Sequence, residues 1–468
     1  MSQKPTAKSQ SFDVVVIGSG SAGFAAAEAA RLQGARVCVV EKEKWGGECP
    51  NFACIPAKSL INSAKAFHFA KHRLPLFGVK TSAINFSYPQ ILGRKQAIVK
   101  AITGNGRRLV DLANNIGINT VKGTAKFINA RTIKVGQQKI KAKSFVIATG
   151  SVDFIPPIDG IKTSGLIGYK EVANLSKMPD SIVIIGAGPV GCEYATFFGL
   201  LGAKVTLLEL SSQILINEDS EIAAIVQSQL QGHGVTVHTK TKTLSVQIED
   251  RQKKVTFQVG RQKRQTVLAD QVLLAAGKVA NLQGLNIEKA GVKVDNRGRL
   301  KVKSTLQTTV DNIYAAGDVS GGLRFTHVAY YEGHIAGTNA AQSTKKKKLI
   351  QSSRVVPRVT FALPEVASVG MTAEEAIKQG YQISIGKFSS GALGRAITEG
   401  EQAGLVKLIV DKKTRKILGG HIAGPCAGEL VHEIALAMYA NLTVDDLANM
   451  IHAFPTYSEA ITAAASMV

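Results

Sequence analysis

An α/β protein of several domains is expected from three features of the chain. A glycine-rich strand–turn–helix segment occurs twice. Glycine is abundant (45 residues) while aromatics are scarce (6%). The length of 468 residues is too great for one hydrophobic core. Apolar residues at 45% and charged residues at 19% give an ordinary globular composition and exclude a disordered chain. No apolar run approaches the roughly 18–20 residues of a membrane span. Met1 to Ser11 is polar and lacks the apolar core of a secretory signal. A soluble, cytoplasmic protein without a membrane span is therefore expected.

Val14-Val15-Val16-Ile17 reads as a short buried strand. Gly18-Ser19-Gly20-Ser21-Ala22-Gly23 follows, then an alanine-rich helix to about Leu32, then a strand Val37 to Val40 with Glu41 at its end. The order recurs in Ile182 to Ile185, Gly186-Ala187-Gly188-Pro189-Val190-Gly191, a helix to about Leu201, and a strand Val205 to Leu208 ending in Glu209. In both copies the acid stands 23 residues after the first glycine. The first glycine permits a tight turn, the second lets backbone approach a pyrophosphate, and the third lets helix pack on strand. The helix N-terminus offers unpaired N–H groups to phosphate, and the acid accepts from a ribose diol. Two Rossmann-like dinucleotide sites imply two cofactors that exchange electrons.

Three further buried strands end in small-residue turns. Ser144 to Gly150 closes the first unit and Val272 to Gly277 the second. Ile313 to Asp318 places a carboxylate just past a third, where it can bind a polyol. The first unit is therefore expected to be discontinuous, spanning 11–152 and 276–344, with the second, 153–275, inserted. Residues 345–353 are polar and read as a linker. A third, α+β domain is expected over 354–468, with strands at Val359 to Phe361 and Leu405 to Val410 and an amphipathic helix from Gly428 to Ala440.

Five cysteines are too few for a disulfide framework. Cys38, Cys192 and Cys426 sit singly in apolar or glycine-rich surroundings and are expected in the core. Cys49 and Cys54 lie five apart in Gly46-Gly47-Glu48-Cys49-Pro50-Asn51-Phe52-Ala53-Cys54-Ile55-Pro56-Ala57-Lys58. Pro56 suits the first turn of a helix, which puts Cys54 by a helix N-terminus where a thiolate is stabilised. The segment points to a redox disulfide. The alternatives are a metal site or two free thiols, and no Cys or His pair lies close in sequence to complete a metal site.

These residues resemble the class I pyridine nucleotide–disulfide oxidoreductases, the family of dihydrolipoamide dehydrogenase, glutathione reductase and mercuric reductase. The likeness runs from Phe12 to Glu459. It is carried by Gly18–Gly23, Gly47–Lys58, Ala148–Gly150, Gly186–Glu193, Ala315–Asp318 and Val356–Thr372. The resemblance implies an FAD domain, an NAD domain and a C-terminal dimerisation domain. FAD would lie on Gly18, Gly20 and Gly23 with Glu41 on its ribose. Lys58, Ala125, Thr149, Gly150, Ser151, Asp318 and the segment Arg324-Phe325-Thr326-His327 would reach the rest of the flavin cofactor. NAD(H), rather than NADP(H), would lie on Gly186, Gly188 and Gly191 with Glu209 on its ribose and Gly277 nearby. Glu193 would pair with Lys58. Cys54 would face the flavin and Cys49 the small-molecule substrate. No metal ligand set is implied.

The C-terminal segment departs from the family. Where dithiol-reducing members carry His-Pro-Thr followed by Ser-Glu, this chain reads His452-Ala453-Phe454-Pro455-Thr456-Tyr457-Ser458-Glu459. Phenylalanine cannot shuttle a proton, and a placed histidine contributes about 10²–10⁴ in rate. Either His452 or Tyr457 substitutes, with Glu459 as a further catalytic candidate, or the substrate needs no such help; the resemblance implies that this segment acts from the partner of a homodimer. The aromatic choice is similar to mercuric reductase, although the end Ala463 to Val468 carries no cysteine pair. The expected function is an FAD-dependent, dihydrolipoamide-dehydrogenase-like oxidoreductase. Metal-ion reduction is the second enzymatic reading. A third is a redox sensor that reads NADH and binds an acidic protein or nucleic acid through a formal charge of +23. The lysines and arginines are scattered apart from Lys345 to Lys348 and Arg251 to Arg264, with no aromatic interleaving. A generally basic surface is therefore expected.

Overall fold

A computed structural model describes residues 10–342, 346–401 and 403–468. Lys345, where the expected linker and lysine run begin, lies outside the described residues. The chain divides into two compact units: 1–56, 94–154 and 278–352 form the first, and 57–93, 155–277 and 353–468 the second.

The first unit is built on a seven-stranded sheet. Asn119–Lys122, Val37–Glu41, Gln10–Ile17 and Gln138–Ile147 lie side by side in parallel, with Val14 opposite both Val37 and Ser144. Gln138–Ile147 serves two neighbours. Its start pairs antiparallel with Thr132–Val135, and its end pairs parallel with Ile313–Ala315. The continuous Val/Ile runs follow from burial on both faces, as parallel sheets require. The helix Ser21–Leu32 packs against the helix Thr326–Ala341 through small residues. A Cβ on Gly333 would sit 2.2 Å from the Ala22 carbonyl oxygen, and one on Gly337 would sit 2.0 Å from that of Ala26. Bulkier residues at these positions would force the helices apart, which is why this part of the chain is rich in alanine and glycine.

The second unit holds the repeat. Thr236–His238, Lys204–Leu208, Ser181–Ile185 and Gln271–Leu274 make a four-stranded parallel sheet; Thr241–Glu249, Gln252–Val259 and Gln265–Ala269, which precede its last strand on the chain, make an antiparallel one. C-terminal to these, five antiparallel strands run in the order Arg358–Thr360, Glu365–Gly370, Ile417–Gly424, Leu405–Asp411, Ile383–Phe388. The helices Ala427–Tyr439, Val444–Asn449 and Glu459–Ala465 bury Val431, Ile434, Ile461 and Ala464 in that sheet's core. Cys38 and Cys192 are buried, and burial pushes the Cys38 thiol up to about 12. Cys426 corrects the expectation: it is exposed, in a left-handed turn (φ 56°) that leads into the helix Ala427–Tyr439.

Candidate active site

The two glycine loops are alike in backbone detail. At Gly18 (φ +105°) a Cβ would lie 2.2 Å from the Ala148 carbonyl oxygen, and at Gly186 (φ +104°) one would lie 2.4 Å from that of Ala275. Both positions also demand a backbone that favours glycine. Gly23 and Gly191 each pass so near the loop's first carbonyl, Gly18 or Gly186, that a Cβ would stand 1.9 Å from it. The middle glycines are the open ones. A Cβ on Gly20 would meet only the Gly47 Cα at 3.8 Å, and one on Gly188 nothing within 4 Å. Space is thus kept over the N-termini of the helices Ser21–Leu32 and Pro189–Leu200, the position a pyrophosphate needs.

The acids at the ends of the second strands face these loops. Glu41 is buried, and its Oε2 accepts from the Ser19 amide (2.9 Å) and hydroxyl (2.8 Å). Glu209 Oε2 accepts from the Ala187 amide at 2.7 Å, and its Oε1 from the Ser211 amide at 2.7 Å. In the first unit, Ser151 Oγ donates to Asp318 at 2.6 Å. Thr149 Oγ1 is buried with no hydrogen-bond partner among the described residues, a polar atom that a bound cofactor can satisfy. Gly150 (φ +70°) makes the turn between them, and the buried Ala125 starts the edge strand Ala125–Asn129. Together with the open Gly20, these groups fit FAD, and the Gly186–Gly191 loop fits a second dinucleotide. Gly277 (φ +106°) follows the strand Gln271–Leu274, and a Cβ there would meet no heavy atom within 4 Å.

The cysteine segment crosses the first loop closely. A Cβ on Gly47 would lie 2.6 Å from the Gly20 Cα, and Ser19 Oγ accepts from the Gly46 amide at 3.1 Å. Cys49 sits in the short helix Glu48–Asn51, whose Asn51 side chain donates to the Trp45 and Gly47 carbonyls and fixes the turn. Cys54 opens the helix Cys54–His72, and its Sγ is 3.6 Å from Thr326 Oγ1. Phe325 and His327 flank that threonine with rings stacked 5.4 Å apart. A cleft of about 290 Å³ runs beside this segment, lined by Phe24, Trp45, Pro50, Arg108, Leu112 and Tyr330 among others. Ser19, Gly20 and Ser21 of the first glycine loop also line it, so this cleft is part of the space that fits the first dinucleotide.

One helical turn after Cys54, Lys58 Nζ reaches both oxygens of Glu193 at 2.7 and 2.8 Å. Glu193 also accepts from the Phe361 amide at 3.1 Å, while the Phe361 ring lies 4.8 Å from the ammonium. This ion pair joins residues 135 apart in sequence. It is mostly buried, so loss of either partner would leave a costly unpaired charge.

At the C-terminal segment the structure separates residues that the sequence grouped. His452 is 6% exposed and fully engaged: Nε2 meets Glu433 Oε1 at 2.9 Å, and Nδ1 meets the Met450 carbonyl at 3.0 Å and Thr462 Oγ1 at 2.6 Å. Its carboxylate partner is Glu433, and Glu459 is engaged elsewhere. Glu459 accepts from the Thr456 amide at 2.9 Å, at the start of its own helix. Tyr457 donates to Glu399 at 2.9 Å, and burial with that carboxylate pushes the phenol up. Phe454 is 80% exposed.

Two groups escaped sequence reasoning. Glu332 is buried in the helix Thr326–Ala341 and accepts from the Gly317 amide at 2.7 Å, fixing the turn that presents Asp318. Burial raises its carboxyl. A lone acid in a helix rich in alanine and glycine was the available signal. Lys278 pairs with Glu48, and nothing local in sequence marks that contact. Among the described residues no group of three or more His, Cys, Asp or Glu is placed to hold a metal ion, and no helix is long and apolar enough to cross a membrane.

Residues 12–333 match the family model described as pyridine nucleotide-disulphide oxidoreductase, and residues 356–465 match that family's dimerisation domain. Mercuric reductase of Bacillus cereus is 34% identical over 450 residues, covering 96% of this chain and 70% of that protein. Mitochondrial dihydrolipoyl dehydrogenase of Pisum sativum is 36% identical over 466 residues, covering 97% and 90%. The solved structure of the HOCl-induced flavoprotein disulfide reductase RclA from Escherichia coli superposes with a TM-score of 0.86 at 29% identity, covering 97% of this chain and all of that one.

Proposed function

The chain belongs to the pyridine nucleotide-disulphide oxidoreductase family, and on that premise we propose that it passes electrons between NADH and a small-molecule acceptor through a Cys49–Cys54 disulfide. It is an FAD-dependent disulfide oxidoreductase with two dinucleotide-binding domains and a C-terminal dimerisation domain. We keep the domain limits at 11–152 with 276–344, 153–275 and 354–468, joined by 345–353, and place the protein in the cytoplasm.

In this reading Gly18, Gly20, Gly23 and Glu41 hold the adenosine and pyrophosphate of FAD. Lys58, Ala125, Thr149, Gly150, Ser151, Asp318 and Phe325 to His327 hold the remainder, with Glu193 neutralising Lys58. Gly186, Gly188, Gly191, Glu209 and Gly277 take the nicotinamide cofactor. When bound, FAD supplies a two-electron carrier. The net reaction at the thiols is balanced by NADH and one proton, which convert the disulfide to two thiols and NAD⁺. With a disulfide acceptor, the Cys49 thiolate attacks one sulfur and expels the other as a thiol; Cys54 then attacks Cys49 in the mixed disulfide, releasing the second thiol and restoring the Cys49–Cys54 disulfide. The observation that carries this reading is the Cys54 sulfur at the head of its helix, 3.6 Å from Thr326 Oγ1, with Cys49, like Cys54 in the thiol form in this structure, in the preceding short helix Glu48–Asn51.

NADH is the preferred nucleotide. Glu209 would repel a 2′-phosphate, and Leu210-Ser211-Ser212-Gln213 offers no arginine to receive one. The test is steady-state oxidation of NADH and of NADPH against a panel of disulfides, quinones and Hg(II). NADH turnover with kcat/KM at least about tenfold above that for NADPH is expected, and comparable values contradict the assignment. The mercuric reductases among the relatives favour a second reading, reduction of a thiophilic metal ion; turnover with Hg(II) alone selects it. Lack of turnover with every acceptor, together with salt-sensitive DNA binding, would point instead to the sensor.

A further inference from the structure

Lys278 lies between the two segments that carry the cysteine chemistry. It starts the short strand Lys278–Ala280, opposite Asp153 in the pairing with Ser151–Asp153. Its side chain is only 19% exposed, and its ammonium pairs with the carboxylate of Glu48. Glu48 is the first residue of the helix that bears Cys49. The backbone of Lys278 reaches the other way: its carbonyl accepts from the Arg324 guanidinium at 2.5 Å. Arg324 stands two residues before Thr326, whose hydroxyl meets Cys54. One residue thus holds the Cys49 turn by its side chain and the Cys54-facing segment by its main chain.

A carboxylate one residue from a thiol opposes a second negative charge there and raises the thiol's pKa, and a cation that pairs with the carboxylate removes that opposition. We propose that Lys278 is a positioning residue of the thiol centre, whose ammonium neutralises Glu48 at the head of the Cys49 turn and so favours the Cys49 thiolate. The proposal rests on the reading of Cys49 and Cys54 as the exchanging thiols. The other charged groups around the ammonium are Asp318, Arg324 and Asp153. Burial draws the ammonium down to about 8, with Asp318 opposing and Arg324 adding to the fall. The lysine is thus charged at neutral pH, and its pairing weakens as pH rises through that value.

The experiment uses flavin-loaded enzyme, reduced with excess NADH and alkylated with iodoacetamide from about pH 5 to 9, with the Cys49 peptide quantified by mass spectrometry. Lys278→Met should slow Cys49 alkylation at about pH 7 roughly tenfold, one unit of thiol pKa. Lys278→Arg should stay near wild type. The double variant Lys278→Met/Glu48→Gln should recover to within about twofold of wild type, since it removes the carboxylate that the lysine offsets. Glu48→Gln alone leaves the cation unopposed and should speed alkylation at about pH 6 severalfold. It also serves if Lys278→Met loses its flavin. An unchanged rate in Lys278→Met, a double variant as slow as the single, or an unchanged rate in Glu48→Gln overturns the proposal. A separate control isolates the underlying reading. If Cys49 of the oxidised enzyme alkylates as fully as that of the reduced enzyme, the disulfide reading fails, whatever the pH profile.

Discussion

Phe454 is the residue at which this chain departs most from its dithiol-reducing relatives in the family. Its ring is 80% exposed on the C-terminal unit. His452, two residues away, is committed to Glu433, Met450 and Thr462. A histidine with both ring nitrogens engaged and 6% of its side chain exposed is held in place by its neighbours, and we propose a structural role for it. Dihydrolipoamide turnover is therefore expected to be weak in the native enzyme. Phe454→His should raise it by roughly tenfold or more, part of the range general acid–base catalysis allows. His452→Ala should leave the chemistry close to unchanged while lowering thermal stability, because it strands the half-buried Glu433 and Thr462 partners. Loss of thiol turnover in His452→Ala with no gain in Phe454→His would assign the base to His452. The sequence showed the missing histidine plainly. It did not show the Glu433 partner, 19 residues upstream, because a helix–loop contact of that span leaves no local pattern. The same holds for Lys278 and Glu48, which are 230 residues apart.

At the scale of elements, the two glycine loops were legible because backbone geometry dictates them. Gly18 and Gly186 need both a positive φ and the absence of a Cβ, and Gly23 and Gly191 need the absence of a Cβ against a carbonyl. Few other sequences satisfy those conditions, so the motif survives as a spacing. The middle glycines differ in kind. Nothing among the described residues crowds Gly188, so the fold does not require its lack of a side chain, and we propose that the bound nucleotide does. Gly188→Ala should leave flavin content and melting temperature near wild type and raise the KM for NADH about tenfold, or about 1.4 kcal/mol of binding. The check is the pair of measurements together; a fall in flavin content would mean that the alanine disturbs the fold. Cys426 shows the limit of such reasoning. Its neighbours in sequence are small and apolar, yet the turn between a strand and a helix carries it to the surface.

For the whole molecule, charge and oligomeric state are the open physical questions. The net charge of +23 is scattered along the chain, which is how a generally basic surface reads in sequence. The C-terminal unit exposes Leu436, Tyr439, Met450, Ile451 and Phe454, with Ile451 96% exposed. Large apolar side chains grouped on one domain mark a contact surface, and residues 356–465 match a dimerisation domain. A homodimer at micromolar concentration is expected, with a mass in light scattering twice that of one chain. Ile451→Glu should shift it toward monomer, and a fully active wild-type monomer would contradict the assignment.

The central claim is that Cys49 and Cys54 form the redox centre beside the flavin, and anaerobic titration with NADH tests it most directly. Two electrons per subunit should produce a broad long-wavelength absorbance band, because the Cys54 thiolate at its helix N-terminus donates to the adjacent flavin. Two new thiols per subunit should become titratable at the same point. Cys54→Ser should bind flavin and lack the band. A protein that bleaches directly to reduced flavin after two electrons, with no band and no new thiols, would contradict the account.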